Sequence, residues 1–177
     1  MLLRTASDPL QSPAYRMGGL VLFATVAVIL MALGFQYIGG YPPCPLCLQQ
    51  RYAYYAGIPV LFLALVLVAA DRRALAAVLF LAVAAGFLAN AGLGVYHAGV
   101  EWKFWPGPDT CGAAQGLSTT AGGLLESIEK NRVVRCDEAA WRFLGLSFAG
   151  WNVLISLALA VGAVTAAVEG LRRPALG

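Results

Sequence analysis

The chain has 177 residues, of which 60% are hydrophobic and only 12% are charged. Soluble domains carry about 25% charged residues, so a chain this apolar cannot cover its surface with polar groups in water. The formal net charge of +3 is modest and gives no indication of nucleic-acid binding. The composition therefore excludes an ordinary soluble domain and indicates a membrane protein.

Four long apolar blocks divide the chain, at residues 16–37, 52–70, 74–96 and 147–168. Each has about 20 residues, the length that an α-helix needs to cross the hydrocarbon core of a bilayer. The central part of each block contains no Lys, Arg, Asp or Glu. The first block is longer than the roughly 7–15 apolar residues of a signal peptide, and no small-residue cleavage site follows it. The sequence predicts an all-α integral membrane protein, a single domain of four transmembrane helices.

Arginines flank the apolar blocks on one side of the predicted membrane. They are Arg4 and Arg16 before the first block, Arg72 and Arg73 between the second and third, and Arg172 and Arg173 after the fourth. By the positive-inside rule these segments face the cytoplasm, and so do both termini. The loops at about 38–51 and 97–146 are then predicted to face the periplasm.

All four cysteines lie in these two outer loops: Cys44 and Cys47 in the first, Cys111 and Cys136 in the second. The predicted topology places them on the oxidising side of the membrane, where disulfides form and persist. Three interpretations are open. The cysteines could form two structural disulfides, hold a zinc ion with all four thiolates, or act as a redox relay.

The cysteine spacing favours the redox interpretation. Cys44 and Cys47 form a C-x-x-C pair, and so short a ring constrains little chain and is a weak structural staple. It suits a dithiol that exchanges readily. Cys111 and Cys136 enclose roughly 25 residues, a loop that a structural bridge would brace. A zinc site of four thiolates typically uses two C-x-x-C pairs, and the chain has one.

The residues around Cys47 suggest how its sulfur is activated. The prolines of the segment YPPCPLC keep it extended and place Cys47 near the start of the second helix. At a helix N-terminus the dipole favours a thiolate. Arg51 follows four residues later on the same helical face, where its guanidinium would favour the thiolate further. Arg51 could instead be an interfacial residue that snorkels beside a membrane span.

A dithiol that oxidises other thiols has to pass on two electrons, and the sequence excludes several acceptors. His97 is the only histidine, so one chain cannot supply a pair of histidine ligands to haem. No βαβ pattern surrounds the glycines of GLGVYHAG, and an iron–sulfur cluster would consume all four cysteines. A lipid-soluble quinone remains, with Arg51 and His97 as its candidate hydrogen-bond partners. Capping of the third helix is the alternative role for His97.

Two further patterns concern the fold. The segment LSTTAGGLLESIEKNRVV has apolar residues at helical spacing and predicts a short amphipathic helix in the long loop. It would lie on the membrane surface or pack on its neighbours. In the third block, the small residues Gly86, Ala91, Gly92 and Gly94 would permit close packing between helices.

Together these features resemble the DsbB family, the disulfide bond formation protein B of bacterial inner membranes. The resemblance covers nearly the whole chain. It rests on the four-span layout and on the segments CPLCLQQR, YHAGVEWKFWPGPDTC and CDEAAWRFLGLS. It implies a quinone-dependent membrane thiol oxidase that reoxidises a periplasmic thioredoxin-fold oxidant of the DsbA type, with ubiquinone or menaquinone as acceptor.

The resemblance also implies a role for each cysteine. Cys111 would form the mixed disulfide with the partner oxidant, and Cys136 would resolve it and exchange with Cys44. Cys47 would be the thiolate that contacts the quinone. The alternative to this enzyme is a tetraspan membrane scaffold or interaction protein with structural disulfides.

Two polar positions match the quinone site of the family, and two others depart from the family pattern. Arg51 and His97 fall at positions that the family associates with the quinone. Gln50 stands where many relatives have an acidic residue, and Pro45 lies inside a C-x-x-C pair that lacks proline in several relatives. The sequence assigns no role to Gln50 or Pro45.

Overall fold

The computed structural model describes residues 11–108 and 135–172. Its four long helices are α1 (Pro13–Tyr37), α2 (Pro45–Ala69), α3 (Arg73–Glu101) and α4 (Phe148–Leu171). All four are long and apolar enough to cross a membrane, which confirms the predicted all-α, four-span architecture. Cys111 and the predicted amphipathic helix of the long loop lie outside the described residues.

The four helices form a ring in which neighbours in sequence are neighbours in space. Helix α1 packs against α2 and α4, and α3 packs against the same two helices. The centre of the bundle is filled by side chains with almost no exposed surface, such as Leu61, Phe80 and Ala163. Large apolar side chains such as Phe23 and Phe62 are exposed on the outside, where lipid would cover them.

Two helices extend by five residues or more beyond the apolar blocks of the sequence. Helix α2 begins at Pro45, whereas its apolar block begins near residue 52, and α3 continues to Glu101, whereas its block ends near 96. An apolar block measures the length inside the hydrocarbon core, but a helix with a cap and a proline in its first turn continues into the polar interface. As a result, the polar residues after Cys44 and around His97 lie on rigid helices.

A short hairpin lies directly before α4. Strands β1 (Arg142–Phe143) and β2 (Leu146–Ser147) pair antiparallel. Leu144 and Gly145, between them, have φ of 52° and 82°, the left-handed values of a type I′ turn. The indole of Trp151 donates a hydrogen bond to the Phe143 carbonyl oxygen at 3.1 Å, which attaches the hairpin to α4.

Candidate functional site

A cavity of about 610 Å³ lies at the end of the bundle that carries the cysteines. Its walls come from α1, α2, α3, α4 and the segment 135–143, and apolar side chains such as Ile29 and Phe35 form much of its lining. This volume is within the range of about 300–1,000 Å³ that is usual for small-molecule sites. The cavity can therefore hold a ring-sized apolar ligand.

Aromatic side chains close one side of this cavity. Trp141 stacks on Phe148 with ring centroids 4.9 Å apart, and it meets Phe35 at 5.5 Å. Phe143 stacks on the same indole at 5.7 Å. These contacts join the hairpin segment to α1 and α4 and give the cavity a flat, apolar face.

The C-x-x-C pair lies where α2 begins, at the wall of the cavity. Cys44 is the N-cap of α2, and its sulfur accepts a hydrogen bond from the backbone nitrogen of Cys47 at 3.1 Å. Both thiols are free, with Cys44 buried and Cys47 half-buried. The side-chain hydrogen bond with Cys47, followed by burial, raises the pKa of the Cys44 thiol above its ordinary range. Cys44 therefore keeps its proton at neutral pH.

His97 reaches this pair from α3. Its exposed fraction is 2%, and its Nε2 lies 3.6 Å from Cys44 Sγ. The side-chain amide of Gln50 lies 2.8 Å from His97 Nδ1 and holds the ring in place. The two sulfurs of the pair and a ring nitrogen of His97 all lie within 4.8 Å of one another. The fold thus brings together three groups that are separated by up to 53 positions in the sequence.

Arg51 also lines the cavity, from the second turn of α2. Its Nη1 donates to Gln36 Oε1 at 2.5 Å, and its Nη2 donates to the carbonyl oxygen of Ala32 at 3.4 Å, both on α1. These bonds hold the planar guanidinium at the cavity wall beside Cys47. The structure therefore places Arg51 inside the site and joins it to a neighbouring helix.

Cys136 packs directly on the C-x-x-C pair. With Cys44 and Leu46 it forms a buried cluster, against which Cys47 and Leu93 pack. Cys136 takes part in a disulfide bond, and its backbone lies against the His97 ring. A cysteine of the long loop is thus held next to a free thiol of the first loop, as exchange between them requires.

An ion-pair cluster holds the Cys136 segment on the end of α3. Asp137 accepts from Lys103 Nζ at 2.7 Å and from the guanidinium of Arg135 at 2.9 and 3.0 Å. Arg135 and Lys103 hold the pKa of the Asp137 carboxyl well below its usual range. The carboxylate is therefore charged, and the ion pairs are complete, at neutral pH.

Among the cavity-lining residues that sequence reasoning did not identify are the polar residues Tyr54, Glu101 and Asn152. Tyr54 donates its hydroxyl to Asn152 Oδ1 at 2.7 Å, between α2 and α4. Glu101 lies four residues after His97 and therefore on the same face of α3, a spacing that could have drawn attention to it. For Tyr54 and Asn152 the sequence carries no comparable signal, since both lie within apolar blocks.

Comparison with known proteins finds a matching family and relatives that cover most of the chain. The family described as Disulfide bond formation protein DsbB matches residues 15–166. Disulfide bond formation protein B of Aromatoleum aromaticum is 33% identical over 81% of this chain and 86% of its own length. The proteins of that name from Xanthomonas oryzae pv. oryzae and Polaromonas sp. are 31% and 30% identical, over 84% and 82% of this chain and 87% and 86% of their own lengths. No solved structure gives a significant match.

Proposed function

The chain belongs to the DsbB family of disulfide bond formation proteins, and on that premise we propose that it carries two electrons from a reduced periplasmic dithiol protein to a membrane quinone. It is a multi-pass protein of the bacterial inner membrane and, by its family, a disulfide-forming oxidoreductase. The donor in this proposal is a thioredoxin-fold oxidant of the DsbA type, and the acceptor is ubiquinone or menaquinone.

One observation carries the proposal: a free dithiol at the wall of an apolar cavity, with a disulfide-bonded cysteine packed behind it. Cys44 and Cys47 both line the cavity, and Cys136 packs on Cys44. The dithiol therefore contacts both a small-molecule cavity and a disulfide-bonded cysteine. This is the arrangement that a relay between a protein thiol and a lipid-soluble acceptor needs.

The residues of the cavity fit a quinone. A quinone needs a flat apolar slot, which the aromatic face beside Trp141 offers, and polar groups near its carbonyl oxygens. Two buried side-chain atoms lack a hydrogen-bond partner among residues 11–108 and 135–172: Asn152 Nδ2 and Glu101 Oε2. Both residues line the cavity. A ligand with one carbonyl oxygen would satisfy the amide donor of Asn152, which explains an otherwise costly buried group.

When bound, a quinone accepts two electrons together with two protons. Cys47, as the third residue of α2, lies where the helix dipole favours a thiolate, and Cys44 retains its proton. Arg51 and His97 line the same wall and would orient the ligand. Cys44 then closes the disulfide with Cys47 when the electrons leave.

The second cysteine pair would collect the electrons from the partner. Cys111 belongs in sequence to the long loop, which this proposal places in the periplasm, and we assign to it the mixed disulfide. Formation of that bond would break the Cys111–Cys136 disulfide and release Cys136 as a thiolate, which would attack Cys44 of the oxidised C-x-x-C pair, on which it packs. The second thiol of the partner would then release Cys111, which would re-form the bond to Cys136 and leave Cys44 and Cys47 reduced. In this proposal the loops face the periplasm and both termini lie in the cytoplasm, in accord with the flanking arginines.

The test is to mix the purified protein with a reduced DsbA-type partner and with ubiquinone or menaquinone, and to follow quinone absorbance. We expect thiol-dependent quinone reduction by the wild type. Cys47→Ser should abolish turnover, and Cys111→Ser should block coupling to the partner, so that the partner stays reduced. The proposal is wrong if the wild type reduces neither quinone, and the relay order is wrong if Cys111→Ser oxidises the partner normally.

Free-thiol titration separates this enzyme from a scaffold with structural disulfides. Starting from the fully oxidised protein, a relay should lose both disulfides to a mild dithiol reductant, because each must exchange during turnover. Structural bridges in a scaffold should resist the same treatment. Retention of both bridges under mild reductant would therefore favour the scaffold.

A further inference from the structure

The Glu101 carboxyl is an ionisable group buried in the cavity wall with half of its hydrogen-bonding capacity unused. The side chain is 5% exposed, and its Oε2 has no partner among the described residues. Burying a carboxyl without full compensation is costly, and such a group calls for an explanation. Because Glu101 lines the cavity, its unpartnered oxygen is available to a ligand there.

Its other oxygen faces the histidine that contacts the dithiol. Glu101 Oε1 lies 3.8 Å from His97 Nε2, and the same nitrogen lies 3.6 Å from Cys44 Sγ. One ring nitrogen thus faces both a thiol that carries a proton and a carboxyl that can receive it. Such contacts are often long in ligand-free sites and shorten when the substrate binds.

Gln50 is suited to a histidine that changes its protonation. An amide can donate through its nitrogen to a bare Nδ1 or, turned over, accept through its oxygen from a protonated Nδ1. With its oxygen toward the ring, Gln50 accepts from Nδ1–H both when neutral His97 has a bare Nε2 and when Nε2 has taken up a proton, so the contact of 2.8 Å supports both states. A carboxylate in the place of Gln50 would accept the same bond, but its negative charge would favour the imidazolium and oppose release of the proton.

Oxidation of the dithiol fixes the balance of protons. Closing the disulfide converts the Cys44 thiol and the Cys47 thiolate into one S–S bond, two electrons and one proton. Reduction of a quinone to hydroquinone takes two electrons and two protons. The Cys44 proton supplies one of these, and a proton taken up from the bulk solvent supplies the other.

We infer that Glu101 carries a proton between His97 and the ligand of the cavity, an inference that rests on the function proposed above. His97 Nε2 takes the Cys44 proton and passes it to Glu101 Oε1, and the carboxyl releases a proton from Oε2 to the ligand. The charge environment of Glu101 is mixed: Cys47 faces it from α2, Arg142 from β1 and His97 from its own helix, and the Ser147 hydroxyl contacts it. Arg51, Arg135 and Glu138 line the same cavity.

The first test is spectroscopic and needs no quinone. In infrared difference spectra between the disulfide and dithiol forms of the full-length protein, the wild type should show a carboxyl C=O band that shifts in D₂O. The band should vanish in Glu101→Gln. It should remain in Glu169→Gln, the same change near the end of α4 that is far from the cavity. A wild-type spectrum without such a band, or a band that survives in Glu101→Gln, overturns the inference.

The second test is kinetic. Glu101→Gln keeps the shape of the side chain but cannot carry a proton, so kcat for quinone reduction should fall about tenfold or more, as for loss of a general acid–base group. The KM for quinone should stay within about twofold, because the contact surface is unchanged. Glu101→Asp, or added formate as a small proton carrier, should restore part of the rate.

The outcomes separate a proton carrier from a structural residue and from a wrong function. Wild-type kcat in Glu101→Gln overturns the inference, and so does a loss that neither Glu101→Asp nor formate restores. If Glu101→Gln fails to fold, the infrared band of the wild type and the rate of Glu101→Asp decide. A wild type that reduces no quinone overturns the proposed function instead, and the infrared test of Glu101 still stands.

Discussion

Cys44 and His97 meet at 3.6 Å across the boundary between the start of α2 and the end of α3. This contact joins the redox pair to the group of buried polar side chains at the cavity wall. It depends on both helices extending past their apolar blocks, since a helix α3 that ended near residue 96 would leave His97 on a loop. The last turn of α3 thus determines the chemistry of the site.

Gln50 should matter for quinone reduction although it carries no charge. Gln50→Leu removes the contact of 2.8 Å with His97 Nδ1 and leaves the ring free to turn away from Cys44. We expect kcat to fall about tenfold, since a lost buried hydrogen bond costs roughly 1–3 kcal/mol. The matched control is Gln49→Leu, at the exposed neighbouring position, which should keep the wild-type rate. Equal rates for the two variants would contradict this role.

Arg51→Lys should weaken quinone binding although it keeps the charge. The guanidinium holds Gln36 Oε1 and the Ala32 carbonyl oxygen at once, and a lysine ammonium cannot reproduce that planar geometry. The KM for quinone should rise about tenfold, the effect of roughly 1.4 kcal/mol. Arg172→Lys, at the exposed end of α4, is the control and should leave KM unchanged. Steady-state kinetics over a range of quinone concentrations would refute the prediction if both variants matched the wild type.

Two glycines of α3 should respond oppositely to alanine. A Cβ on Gly94 would lie 2.8 Å from Val153 Cγ2 and 3.3 Å from the Ala149 carbonyl oxygen, so Gly94→Ala should force α3 and α4 apart. Overpacking of this kind costs about 1–3 kcal/mol. A Cβ on Gly92 meets nothing within 4 Å, and Gly92→Ala should stabilise the helix by up to about 1 kcal/mol.

Thermal unfolding in detergent measures both glycine variants. The expected order of melting temperature is Gly92→Ala at or above the wild type, followed by Gly94→Ala well below it. A Gly94→Ala protein as stable as Gly92→Ala would show that α3 and α4 can separate without cost.

The ion pairs of Asp137 should help to keep Cys136 close to Cys44. Asp137→Asn breaks the links to Lys103 and Arg135, so transfer of electrons from the loop pair to Cys44 should slow several-fold at low salt. The difference should shrink at high salt, because exposed ion pairs are screened. Asp71→Asn, which breaks an exposed ion pair with Arg73 between α2 and α3, should have no effect.

The lowered pKa of the Asp137 carboxyl determines how its ion pairs with Lys103 and Arg135 depend on pH. The pKa of Asp137 is lowered in the folded protein. The stability that its ion pairs contribute is therefore complete above the ordinary aspartate pKa of about 3.9, and it is lost only as pH falls through the lower folded value. Rapid mixing with reduced partner, acid quench and thiol alkylation should therefore show no change from this group between about pH 5 and 8. The assignment would be contradicted if thiol–disulfide exchange slowed between about pH 5 and 8 in the wild type but not in Asp137→Asn.

The sequence by itself determined the architecture and the residue types of the site. Four apolar blocks of membrane-spanning length admit few structures other than four helices, because a buried backbone in lipid must satisfy its own hydrogen bonds. The C-x-x-C pair, Arg51 and His97 were also identifiable, since spacing along one helix places Arg51 on the face of Cys47. The family resemblance is confirmed by the comparisons.

Only the tertiary structure decided which residues share the cavity. Sequence spacing predicts neighbours within a helix but not the rotation of one helix against another, so Gly92 and Gly94 look alike in sequence although only Gly94 meets α4. For the same reason the sequence did not predict the contact between Tyr54 and Asn152, which belong to different helices and pair across the bundle. The burial of Glu101 beside His97 and the cavity was likewise not predictable, because it depends on packing between α2, α3 and the segment before α4.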